Sequence, residues 1–133
     1  MKDSHRLHEA QIEGRGVDPA GAFGIDVLHA GDGIALVALS GELDMAATPA
    51  LRAHVDAAAG RRGLVIDLAE VTFLDSSMLK ELLRAVAELD RYETRFVIAG
   101  VPEAVQRLFD LTRTREMFTI APDRAAALEL VAR

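Results

Sequence analysis

The sequence predicts a single α/β domain: a mixed, mainly parallel sheet of four to five strands with about four helices packed against it. Three observations predict it. Leu64-Val65-Ile66-Asp67-Leu68 is a short run that is apolar on both faces, the pattern of a central strand covered on both sides. From Leu79 the apolar residues fall three and four apart, at Leu79, Leu82, Leu83, Val86 and Leu89, which draws one stripe along a helix. Around this pair, a hairpin comes first and strands then alternate with helices, the order of an α/β chain.

Residues 1–21 mix charge with Gly14, Gly16, Pro19 and Gly21 and predict a flexible N-terminal tail, ahead of one domain over 22–133. His5 and His8 fall on one side of a helical turn, but without a carboxylate or cysteine shell they read as solvated rather than metal-binding. Phe23, Ile25 and Val27 alternate, Ala30-Gly31-Asp32-Gly33 breaks the pattern, and Ile34 to Leu39 resumes it, predicting two strands joined by a glycine-rich turn. Gly41-Glu42-Leu43-Asp44 leaves the second strand. Thr48-Pro49 then opens a helix with a hydroxyl cap and a proline in its first turn, Leu51 and Val55 facing inward and the end near Gly60.

After the central strand only Val71, Phe73 and Leu74 are large and apolar, so the chain is expected to cross the end of the sheet there with Phe73 in the core. Asp75, Ser76 and Ser77 are residue types whose short side-chain oxygens cap a helix; Lys80, three beyond Ser77, leaves no capping box. Lys80, Glu81, Arg84, Glu88 and Arg91 take the solvent face of that helix. Phe96 to Ala99 reads as a further buried strand. Pro102-Glu103 starts a helix with Val105, Leu108, Phe109 and Leu111 on its apolar side. Met117 to Ile120 is a short strand, and Ala125 to Val131 a last helix behind Pro122 and Asp123.

A length of 133 residues fits one domain with a real core. Half the residues are hydrophobic and only 5% aromatic, so that core is built of Leu, Val, Ile and Ala. A formal net charge of -6 disfavours a nucleic-acid surface, which needs a basic field. With no cysteine there are neither disulfides nor thiolate metal sites. No apolar stretch is long enough to span a bilayer, the first residues lack the apolar core of a signal peptide, and a cytoplasmic location is expected.

Catalysis finds little support. Asp75-Ser76 could be a nucleophile with its helper, and Asp67 with Asp75 a carboxylate pair. A serine nucleophile needs a base within reach, and the chain offers only the scattered His29 and His54. Asp67, at the end of a buried strand, also sits where response-regulator receivers carry a phosphoacceptor. The acidic pair and the late lysine of receivers are missing, so Asp67 reads as a structural or partner-orienting carboxylate that organises local amides. There is no Gly-x-x-x-x-Gly-Lys loop, and no catalytic residue, metal or cofactor is assigned.

Val71-Thr72-Phe73-Leu74-Asp75-Ser76-Ser77 followed by Leu79, with Gly41-Glu42-Leu43-Asp44 and Leu64 to Leu68 before it, resembles the signature of STAS domains. This family includes bacterial anti-sigma-factor antagonists and the cytoplasmic domains of sulphate transporters. The resemblance runs from Phe23 to the C-terminus. It implies a STAS-like fold and a bacterial antagonist that, unphosphorylated, binds an anti-sigma factor with serine-kinase activity and is released by phosphorylation of Ser76. A serine phosphatase would reset it. The implied partner surface is Gly41, Glu42, Asp44, Asp75, Ser77, Met78, Lys80 and Arg84, with homodimerisation left open. The alternative is a non-switching adaptor that docks on a transporter or stressosome-like assembly. The chain departs from the family at Met78, where glycine is usual and whose bulk is expected beside Ser76; at Lys80, where a small residue is common; and at Arg113-Thr114, where Gly-Leu often follows the third helix.

Overall fold

The structure, a computed structural model, describes the backbone of Ile12–Val17 and residues 23–133. Among the described residues six strands form one sheet in sequential order: β1 (Ile12–Val17), β2 (Phe23–His29), β3 (Ile34–Leu43), β4 (Gly63–Leu74), β5 (Arg95–Ala99) and the two-residue β6 (Ile120–Ala121). β1, β2 and β3 pair antiparallel, whereas β3 to β6 run parallel. The helices are α1 (Thr48–Ala58), α2 (Ser76–Arg91), α3 (Glu103–Thr112) and α4 (Arg124–Ala132), with short 3-10 turns at Met45–Ala47 and Arg115–Met117.

The mixed, mainly parallel sheet and four helices are as the sequence predicts, but there is one strand more than expected. It comes from the segment read as tail: Ile12–Val17 pairs with β2, Gly16 opposite Ile25. An edge strand is held by backbone hydrogen bonds on one side and needs few large side chains, so its glycines masked it. His5 and His8 lie outside the described residues.

The central strand is covered on both faces. Leu64, Ile66 and Leu68 of β4 join the main cluster with Leu51 and Val55 of α1, Leu82 and Leu89 of α2, and Val105 and Phe109 of α3. Val65 turns the other way, to Ala127, Leu128 and Val131 of α4. Three helices therefore cover one face and one helix the other. On the α4 side the approach is close, since a Cβ on Gly63 would lie 2.8 Å from Val131.

Two expectations at the end of β4 are corrected. The chain does not cross the sheet after Asp67; it continues as strand to Leu74 alongside β3. Phe73 is not a core residue but 51% exposed. The pairing explains both: Gly41 faces Val71 and Glu42 faces Phe73, so β4 spends one extra residue, Thr72, on a single step of β3. This bulge makes Val71 and Leu74, three apart, the inward positions and turns Phe73 out. Gly41, at φ 81°, supplies the matching left-handed backbone in β3.

Further along, Leu111 is 78% exposed rather than on the apolar side of α3. Two residues from the buried Phe109 is about 200° around a helix, the opposite side. Phe109 instead stacks on Phe118, with ring centroids 4.9 Å apart. α3 closes at Arg113 in the left-handed region (φ 59°, ψ 38°), and the Thr114 amide donates back to the Phe109 carbonyl at 2.9 Å. That closure is the backbone conformation for which glycine is favoured, the residue type often found here in the family the sequence resembles. Met117 ends a 3-10 turn and the last strand begins only at Ile120. Asp123 caps α4 by accepting the Ala126 amide at 2.8 Å.

Candidate functional site

The candidate site is the corner where β3 and β4 end together and two helices begin. The Asp75 amide donates to the Leu43 carbonyl at 3.0 Å, which ties the two strand ends at the threshold of α2. Asp75 is extended (φ -94°, ψ 179°), and its Oδ1 accepts the Met78 amide at 3.0 Å while its carbonyl accepts Leu79 N–H at 3.0 Å. Asp75, not either serine, is thus the helix cap. Asp44 plays the same part on the neighbouring branch, its Oδ1 accepting the Ala46 amide at 2.9 Å to start the 3-10 turn that leads into α1.

With the cap filled by Asp75, Ser76 is the first residue of α2 and stands exposed. Glu42, Asp44 and Lys80 are also exposed, and Gly41 and Ser77 half-buried. Met45 (69% exposed) and Phe73 add apolar surface to the same corner. Neither was assigned to the site from the sequence. The signal for Phe73 was a bulge that only pairing reveals, and Met45 sits in a 3-10 turn with no periodicity to expose it.

Three sequence-based assignments are corrected here. Met78 is fully buried and contributes no accessible contact; it points toward α1, where the Thr48 hydroxyl lies 3.8 Å from its sulfur. Its bulk goes beneath the corner, not beside Ser76. Thr48 is correspondingly not a helix cap, α1 being preceded by Ala47 with no side-chain cap bond. Glu81, expected on the solvent face of α2, is 2% exposed.

Glu81 is paid for by two guanidinium groups. Its Oε1 accepts Arg52 Nε at 3.2 Å and Nη2 at 3.0 Å, and its Oε2 accepts Arg84 Nε at 2.8 Å. Arg84 Nη2 donates onward to Asp56 on α1 at 2.9 Å. Partial burial would pull the Arg84 pKa down, but the hydrogen bonds and charges of Glu81 and Asp56 outweigh it and hold the group above its ordinary value. Arg84 therefore braces α1 against α2. Arg52, Lys80, Ser77, Glu81, Met45 and Pro49 line a shallow groove of ≈ 380 Å³ between the two helix starts.

Asp67 lies away from this corner. Its Oδ1 accepts the Ala69 amide at 2.9 Å and its Oδ2 meets Arg124 Nε at 2.9 Å, so it organises the bulged strand and anchors the start of α4. His29 and His54 line a separate small cavity with Val27, Val37 and Arg61, with no serine among the lining residues. Among the described residues no helix is long and apolar enough to cross a membrane.

Comparison with known proteins agrees with this layout. The model of the STAS domain matches residues 27–127. The anti-sigma-B factor antagonist of Listeria monocytogenes is 27% identical over 84 residues, covering 62% of this chain and 74% of that protein. The crystal structure of an anti-sigma factor antagonist from Mycobacterium paratuberculosis superposes with a TM-score of 0.75 at 33% identity, covering 88% of this chain and 99% of the other. The Bacillus cell fate determinant SpoIIAA, in its phosphorylated form, shares the fold at a TM-score of 0.64 and 18% identity, over 80% of this chain and 98% of its own. The matched span contains the whole β3–β4–α2 corner, and with it the ordered motifs and the three helices on one face of the sheet: the chain belongs to the STAS domain family.

Proposed function

We propose that this protein is a cytoplasmic anti-sigma-factor antagonist that works by partner switching. Unphosphorylated, it binds an anti-sigma factor with serine-kinase activity; phosphorylated on Ser76 it is released, and a serine phosphatase resets it. The kinase, not this chain, holds the nucleotide. The observation that carries the reading is the position of Ser76: exposed, first in α2, with its capping duty taken by Asp75. A phosphate there brings a charge of about -1.5 to -2, which the helix N-terminus accommodates without unfolding. Glu42, Asp44 and Asp75 already make the corner acidic, against the exposed cation of Lys80, so a partner surface fitted to a neutral serine meets a concentrated negative charge.

Other features support the same reading. Relatives named as anti-sigma factor antagonists lie in both the sequence and the structure comparisons. Met78 leaves access to Ser76 open because its side chain is buried. Gly41, Glu42, Asp44, Met45, Phe73, Ser77 and Lys80 form the surface that the partner closes over, with Arg84 supporting it from behind. Incubation with an anti-sigma kinase from the same cell and ATP, followed by peptide mapping, tests the proposal. A complex that forms before and dissolves after phosphorylation of Ser76 is expected; phosphate mainly on Ser77, Thr72 or Ser4, or no complex at all, overturns it.

A further inference from the structure

Glu81 is an unusual residue for its place. Its carboxylate is almost wholly buried on a helix that otherwise obeys its apolar stripe, and two arginines are spent on it. Such a group adds little net stability, because the cost of desolvating the charges offsets their attraction, and apolar replacements of similar volume are often neutral. What the arrangement supplies is geometry. Arg52 and Asp56 lie one turn apart on α1, and Glu81 and Arg84 nearly one turn apart on α2. The chain of contacts Arg52–Glu81–Arg84–Asp56 thus stitches the two helices at two heights. Arg52 and Glu81 also wall the groove shared with Ser77 and Lys80.

We propose that Glu81 is a positioning residue for partner recognition. Through Arg52 and Arg84 it sets the spacing of α1 against α2, and so the relative placement of the Met45–Pro49 and Ser76–Lys80 halves of the partner surface. Its removal lowers affinity out of proportion to any loss of stability. This inference rests on the partner-switching reading above.

The absence of cysteine makes the test direct. Cysteines introduced at the exposed Ala53 of α1 and Ala87 of α2 carry a single pair of nitroxide labels for distance measurement. Two variants are compared with the parent: Glu81→Gln, and the triple replacement Arg52→Met, Glu81→Leu, Arg84→Met, which leaves no buried charge between α1 and α2. The triple variant is expected to keep the parental urea midpoint, to show a shifted or broadened interhelix distance, and to bind the anti-sigma factor about tenfold more weakly. Glu81→Gln is expected to lose more affinity than its change in midpoint accounts for. An unchanged distance distribution in the triple variant overturns the proposal, as does parental affinity alongside a changed distance. If the parent binds no anti-sigma factor, the functional reading fails and the distance measurement decides the positioning role.

Discussion

Thr48 and Met78, thirty residues apart, meet where α1 and α2 begin, the threonine hydroxyl 3.8 Å from the methionine sulfur. A long side chain here fills the space between the two helix starts, where the family more often has glycine. Met78→Gly is expected to cost about 3–5 kcal/mol, combining loss of a buried side chain with the helix penalty of glycine. Chemical denaturation measures the loss. Phosphorylation of Ser76 in the folded fraction is expected to be unchanged, since Met78 does not reach the surface.

Leu82 and Phe73 separate the core from the proposed contact surface. Leu82 is fully buried between α2 and the sheet, and Leu82→Ala is expected to lower stability by about 2–5 kcal/mol. Phe73→Ala is expected to change stability by no more than about 0.5 kcal/mol, as for other exposed positions, while weakening the anti-sigma complex. Urea unfolding and calorimetric titration of both variants check the pair.

Arg113 holds a left-handed backbone at the end of α3. A non-glycine residue in that region costs about 1–2 kcal/mol, and glycine gives part of this back as unfolded-state entropy. Arg113→Gly is therefore expected to stabilise the domain by about 0.5–1 kcal/mol, read as a higher urea midpoint with an unchanged slope.

His54 supplies a pH dependence. Burial lowers its pKa below the ordinary 6.5, in a cavity it shares with His29 and Arg61. The unfolded chain takes up the proton first as pH falls, so the His54 contribution is neutral above 6.5 and turns against folding as pH drops from there toward the folded value. Urea midpoints at about pH 7.5 and about pH 5.5 are expected to differ, and His54→Gln to remove part of the difference.

How much of this was legible in the sequence depends on the range of the interactions. The buried strand, the α2 stripe and the cap chemistry at Asp75 and Asp123 are local patterns, and the structure places them as the residues predict. Phe73 was misplaced because a bulge shifts facing by one residue, and a bulge is a property of two paired strands. Glu81 was misplaced for a similar reason: its burial depends on Arg52, which comes from another helix and carries no local mark. β1 escaped because an edge strand rich in glycine lacks the apolar alternation by which strands are recognised.

The last prediction concerns the switch. Ser76→Asp places one negative charge at the first residue of α2, where the unpaired amides of the helix start favour it, so its unfolding midpoint is expected to stay close to the parent's. Asp75 is already committed to the Met78 amide, so the new carboxylate is expected to leave the cap in place and to add its charge at the exposed start of α2, within the proposed partner surface. There it adds to the charges of Glu42 and Asp44, with the exposed Lys80 one turn on to offset it only in part, and mismatching a charge in a closed interface costs several kcal/mol, about 2–5 by analogy with buried pairs. Binding of the aspartate form to the anti-sigma factor is expected to fall by that amount. Ser76→Ala removes only an exposed hydroxyl, and is expected to bind as well as the parent and to resist phosphorylation. Titration of both folded variants against the same partner reads the difference directly, and equal affinities would reduce Ser76 to an ordinary surface residue of α2 and favour the non-switching adaptor.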